Sequence, residues 1–78
     1  MSKRLSELEP GDTAVIVRIE GSGAVARRMA DMGLIPGTKV KVVRKAPLGD
    51  PIEFEVRGYN LSLRRNEAEL VIVEVERS

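Results

Sequence analysis

Arg28-Met29-Ala30-Asp31-Met32-Gly33-Leu34-Ile35-Pro36-Gly37-Thr38 is the end of a helix, a stop and a turn in eleven residues, and it sets the frame for the rest of the chain. Going backwards, Val25, Met29 and Met32 recur at i, i+4 and i+7, an apolar stripe flanked by Ala26 and Ala30, with Arg27, Arg28 and Asp31 off it. Ser22 is placed to cap the first turn. Gly33 supplies the left-handed residue on which helices stop, and Leu34 is positioned to fold back on the last turn. Ile35-Pro36-Gly37-Thr38 has proline second and glycine third, the preference of a type II turn.

On both sides of this unit the period changes to two. Thr13 to Glu20 alternates, with Val15, Val17 and Ile19 on one face and Ala14, Ile16 and Arg18 on the other. Lys39 to Ala46 alternates and slips at Val42-Val43, the mark of a bulge. Ile52, Phe54 and Val56 point one way, Glu53, Glu55 and Arg57 the other, which predicts a hairpin around Pro47-Leu48-Gly49-Asp50-Pro51. Gly58-Tyr59-Asn60 turns the chain into Leu61-Ser62-Leu63. Asn66 and Glu69 have capping-box spacing for one helical turn, and Leu70 to Val75 closes the sheet. Five short strands and one inserted helix predict a mostly β fold, a small SH3-like, partly open barrel, with an OB-type barrel as the alternative.

The chain has 78 residues, enough for a single domain over residues 1–78, and a domain of this size buries only about 60% of the surface its unfolded chain exposes. The first few residues and the last two are expected to fray. There is no apolar run of membrane-spanning length and no secretory leader, so a cytoplasmic protein without membrane insertion is expected. Thirteen basic against twelve acidic residues leave a net charge of +1, far from the balance of proteins that neutralise many phosphates.

With no His and no Cys, acid–base and nucleophilic chemistry lack their usual groups, and no enzyme is expected. Asp12, Asp31 and Asp50 stand where short carboxylates cap backbone amides. Glu53 with Glu55, or Glu74 with Glu76, could share an ion, but alternating Glu on a strand reads first as a solvated face; no metal and no cofactor is expected. Lys39, Lys41, Arg44 and Lys45 line one strand, yet one Phe and one Tyr cannot build a stacking platform, so no nucleic acid is expected as partner. What remains is a contact surface. Arg28, Met32, Leu34 and Ile35 at the helix end, Pro47, Leu48, Gly49 and Asp50 on the tip, and Tyr59 are its expected residues, because apolar groups on stiff turns lower the ordering cost of binding. The alternative is that Leu34 merely caps its own helix and the prolines merely shape the loop.

Arg27-Arg28-Met29-Ala30-Asp31-Met32-Gly33-Leu34-Ile35-Pro36-Gly37-Thr38, Ala46-Pro47-Leu48-Gly49-Asp50-Pro51-Ile52 and Arg57-Gly58-Tyr59-Asn60-Leu61-Ser62-Leu63-Arg64 together resemble the FeoA family, from Leu5 to Val75. Met29 stands where many members have leucine, a near-isosteric change. The resemblance implies an SH3-like barrel and an accessory role in bacterial ferrous iron uptake, exerted by contact on the FeoB transporter or its GTPase domain. An arginine among Arg27, Arg28, Arg64 and Arg65 reaching the nucleotide is a sharper form of that expectation. A metal-responsive regulatory domain, like the one fused to iron-dependent repressors, and a small-barrel nucleic-acid binder are the alternatives; the length expected of a repressor's other parts is absent from this chain.

Overall fold

A computed structural model describes residues 2–76 of the chain. The elements run β1 (Ser2–Arg4), a 3-10 turn (Leu5–Glu7), β2 (Thr13–Ile19), α1 (Gly23–Asp31), β3 (Lys39–Lys45), β4 (Ile52–Val56), β5 (Tyr59–Leu63), α2 (Arg65–Ala68) and β6 (Val71–Val75). All six strands pair antiparallel in one sheet of order β1-β6-β2-β3-β4-β5. The sheet is not closed, because β1 and β5 each have one neighbour. Its concave side holds Phe54, Ile16, Val40, Val42, Ile52, Val56 and Leu63, roofed by Met29 from α1.

The sixth strand is the main departure from the expected five. Ser2–Arg4 is not frayed: it pairs with Ile72 to Glu74, and the turn after it buries Leu5 and Leu8 completely. Arg77 and Ser78, also expected to fray, lie outside the described residues.

A second correction concerns β2. The register shifts between Ile16 and Arg18, so Val17 bulges out and is 42% exposed, while Ala14, Ile16 and then Ile19 face the core. Val15, Val17 and Ile19 therefore do not share a face, since one extra residue inverts the alternation beyond it. In β3 the expected slip is present between Val42 and Arg44, and Val43 turns outward.

Two local readings shift by a residue or more. The β4–β5 turn is Arg57-Gly58 rather than Gly58-Tyr59-Asn60: Val56 pairs with Tyr59, and the φ angles of Arg57 (52°) and Gly58 (85°) are both left-handed, as a two-residue type I′ hairpin demands. At α2 the Glu67 carboxylate accepts the Arg64 N–H at 2.9 Å, so Glu67, not Glu69, closes the first turn. Arg64 and Glu67 have the same three-residue spacing as Asn66 and Glu69, which is why spacing alone chose wrongly.

Candidate contact surface

The stop at Gly33 is a complete Schellman cap. The Gly33 N–H donates to the Ala30 carbonyl at 2.9 Å and the Leu34 N–H to the Met29 carbonyl at 3.0 Å, with Gly33 at φ 92°. Ser22 Oγ accepts the Val25 N–H at the other end of α1. Tyr59, the first residue of β5, adds a partner that no helix pattern announces: its hydroxyl donates to the Met32 carbonyl at 2.5 Å. A Cβ on Gly33 would lie 2.7 Å from that hydroxyl. Glycine is thus needed here twice, for backbone angle and for clearance.

The following turn is equally constrained. The Thr38 N–H donates to the Ile35 carbonyl, the Gly37 N–H to the Ile16 carbonyl, and the Ile16 N–H to the Thr38 carbonyl. Ile35, 37% exposed, consequently stands on a turn stitched to β2. Beside it lies an open groove of about 600 Å³ lined by Ile35, Pro36, Lys39, Lys41, Glu55 and Arg57. Its lining comes from segments far apart in the chain, so no local pattern reveals it.

On the β3–β4 hairpin the Gly49 N–H donates to the Ala46 carbonyl at 2.7 Å and the Ala46 N–H to the Pro51 carbonyl at 3.0 Å. Asp50 Oδ1 accepts the Arg65 N–H at 3.0 Å, tying the tip to the start of α2. Asp12 caps in the same manner, accepting the Glu9 N–H at 2.8 Å. From this anchored loop Leu48 projects with 90% of its surface exposed.

Among the expected contact residues, Leu34 is corrected. It has no exposed surface and belongs to the core, beneath the cap of α1, and does not stand at the surface as expected. All the others except Arg28 fall into two groups. Met32, Ile35 and Tyr59 gather where Val40 pairs with Val56 and Val56 with Tyr59; Pro47, Leu48, Gly49 and Asp50 sit where Lys45 pairs with Ile52 and Ile52 with Leu63. The two ends of β4 are about 14 Å apart at 3.4 Å per residue. Arg28 is engaged by Glu67 of α2 in a charged hydrogen bond.

Charges across the sheet are largely matched. Arg44 Nε donates to Glu53 Oε1 at 2.6 Å and Asn60 Nδ2 to Glu53 Oε2 at 2.7 Å. The Arg44 hydrogen bond holds the Glu53 carboxyl below the ordinary carboxylate value. Arg4 does the same for Glu20. Glu74 accepts from Ser2 Oγ at 3.0 Å and Glu76 pairs with Lys39 at 3.5 Å. Among the described residues no group of three or more Asp or Glu converges as a metal would require, and no helix is long and apolar enough to cross a membrane.

A profile described as the FeoA domain matches residues 3–75. The chain is 49% identical over 72 residues to a Fe(2+) transport protein A/Fe(2+) transporter FeoB fusion protein of Porphyromonas gingivalis; the match takes in 92% of this chain and spans 8% of the fusion. It superimposes with a TM-score of 0.90 on the crystal structure of an iron uptake regulatory protein, FeoA, at 32% identity, covering 97% of this chain and 100% of the other. With zinc-complexed FeoA of Stenotrophomonas maltophilia, described as a procaryotic SH3 domain protein, the TM-score is 0.78 at 33% identity, covering 95% and 89% of the two chains.

Proposed function

The chain belongs to the FeoA family, and from that premise we propose that it is a cytoplasmic accessory protein, not an enzyme, that acts by contact on the cytosolic side of a FeoB-type ferrous iron transporter. The observation that carries this reading is the fusion: a segment 49% identical to this chain is joined to FeoB in one polypeptide of Porphyromonas gingivalis. Covalent linkage holds two modules at high effective concentration, which pays when they must meet. The present chain supports such a role through rigid apolar projections. Leu48 stands on a tip closed by Gly49 and Asp50, so little ordering entropy opposes its burial.

Metal sensing has less support in this chain, because in each carboxylate pair offered by the sequence one member, Glu53 or Glu74, already accepts hydrogen bonds, from Arg44 and Asn60 or from Ser2. The test of the contact reading is co-purification with the transporter's cytosolic region, with and without nucleotide. Leu48→Asp is expected to lower recovery at least tenfold while leaving thermal stability within about 0.5 kcal/mol of the parent, as for other exposed positions. Full recovery with the Leu48→Asp protein removes the tip from the interface, and failure of the parent chain to bind removes the partner.

A further inference from the structure

The order of the sheet leaves β5 as an outer strand. Its two-residue turn makes Val56–Tyr59 a hydrogen-bonded pair, so Glu55–Asn60 and Glu53–Ser62 are non-bonded pairs and the main-chain N–H and C=O of Asn60 and Ser62 point away from β4. Both residues are exposed, and among the described residues nothing bonds to those four groups. Natural sheets blunt such edges with shortness or charge. The opposite edge obeys: β1 is three residues long and carries Lys3 and Arg4. Tyr59-Asn60-Leu61-Ser62-Leu63 is five residues long and contains no charge.

Charge stands only at its ends. Arg57 precedes the strand and Arg64 and Arg65 follow it, all exposed, and none of the three guanidinium groups is ion-paired among the described residues. The acidic residues of β4 are one strand further in, where Arg44 and Asn60 hold Glu53. We infer that the free edge of β5 binds an extended acidic segment of a partner protein as an added strand, its main chain pairing with Asn60 and Ser62 and its carboxylates meeting Arg57, Arg64 and Arg65. A second copy of this chain is a poor occupant: antiparallel pairing centred on Leu61 brings the Arg57 end of one β5 towards the Arg64–Arg65 end of the other, and like charges gathered at both ends repel. If the partner is the transporter proposed above, this edge is its docking mode; the inference itself needs only an acidic strand.

The probe is a ten-residue peptide alternating valine and glutamate, with a valine–lysine peptide as charge control, titrated into the full chain and followed by amide NMR and hydrogen exchange. The acidic peptide is expected to shift and protect the amides of Asn60 and Ser62, and the basic one to leave them unchanged. Ser62→Pro removes an outward N–H that the ladder does not use, a substitution edge strands accept, and is expected to weaken binding at least tenfold. Arg64→Glu with Arg65→Glu is expected to do the same without altering the strand. Unperturbed Asn60 and Ser62 amides, equal affinity in the substituted proteins, or β5-mediated dimerisation would overturn the inference. The peptide contains nothing of the transporter, so its failure leaves the co-purification result to stand or fall alone.

Discussion

Leu34 and Leu48 are the same side chain in opposite circumstances, one without exposed surface and one 90% exposed, although each follows or precedes a glycine in a tight turn. The difference is made by what the turn is attached to. Leu34 is drawn under α1 by the Schellman cap, whose geometry Gly33 supplies. Replacing Gly33 with Ala is expected to cost about 1–2 kcal/mol for a left-handed backbone, and more because its Cβ would lie 2.7 Å from the Tyr59 hydroxyl. Tyr59→Phe alone forfeits the hydrogen bond to Met32, about 1 kcal/mol. In the double substitution the clash is gone, so Gly33→Ala should then cost only the backbone part. Urea unfolding of the four proteins measures the coupling, and an unchanged cost for Gly33→Ala in both backgrounds denies the close approach any energetic role.

At the scale of elements, legibility followed locality. Helix α1, its Ser22 and Gly33 ends, the type II turn and the β3–β4 hairpin are each specified by residues within a few positions of one another, and each stands where its pattern places it. Strand β1 is short and polar, and its partner lies about seventy residues downstream, so nothing near Ser2–Arg4 announces it. The bulge at Val17 was hidden because Val15, Val17 and Ile19 alternate faultlessly; only pairing with β6 shows which residue is extra. The candidate surface divided in the same way: its turns were legible, but the groove, the Tyr59 contact and the free edge of β5 depend on which strands become neighbours. The β3–β4–β5 charge pairing makes a prediction of its own. Because Glu53 titrates below its ordinary value of 4.5, chiefly through the Arg44 hydrogen bond, its contribution is present above that pH and is lost as pH falls through the lowered value. The melting temperature should therefore be flat between pH 7 and 5 and fall below about 4.5, and Arg44→Ala should lower it slightly at pH 7 while flattening the acid limb. Part of the residual slope belongs to Glu20, whose carboxyl the Arg4 hydrogen bond lowers in the same way, and part to Glu74, which is also lowered.

For the molecule as a whole, the core extends past the sheet into the turn that leaves β1, which packs against β6 and α2. Leu5 and Leu8 are 0% and 1% exposed, in the turn that leaves β1, and Leu5 packs within the same cluster as Met29, Phe54 and Val73. Removing a buried leucine to alanine costs about 2–5 kcal/mol, whereas a chain of this length holds a total stability of only about 4–12 kcal/mol at the usual figure per residue. Leu5→Ala with Leu8→Ala should therefore leave the protein largely unfolded at 25 °C, read as loss of amide dispersion and of a cooperative thermal transition, while either substitution alone should leave a folded protein with a melting temperature lower by roughly 10 °C or more. Retention of a cooperative transition by the double variant would mean that β1 and its turn lie against an independently stable sheet. Collapse would mean that the sheet is not stable without the segment from Ser2 to Leu8, whose pairing with β6 and buried leucines then belong to the one cooperative unit.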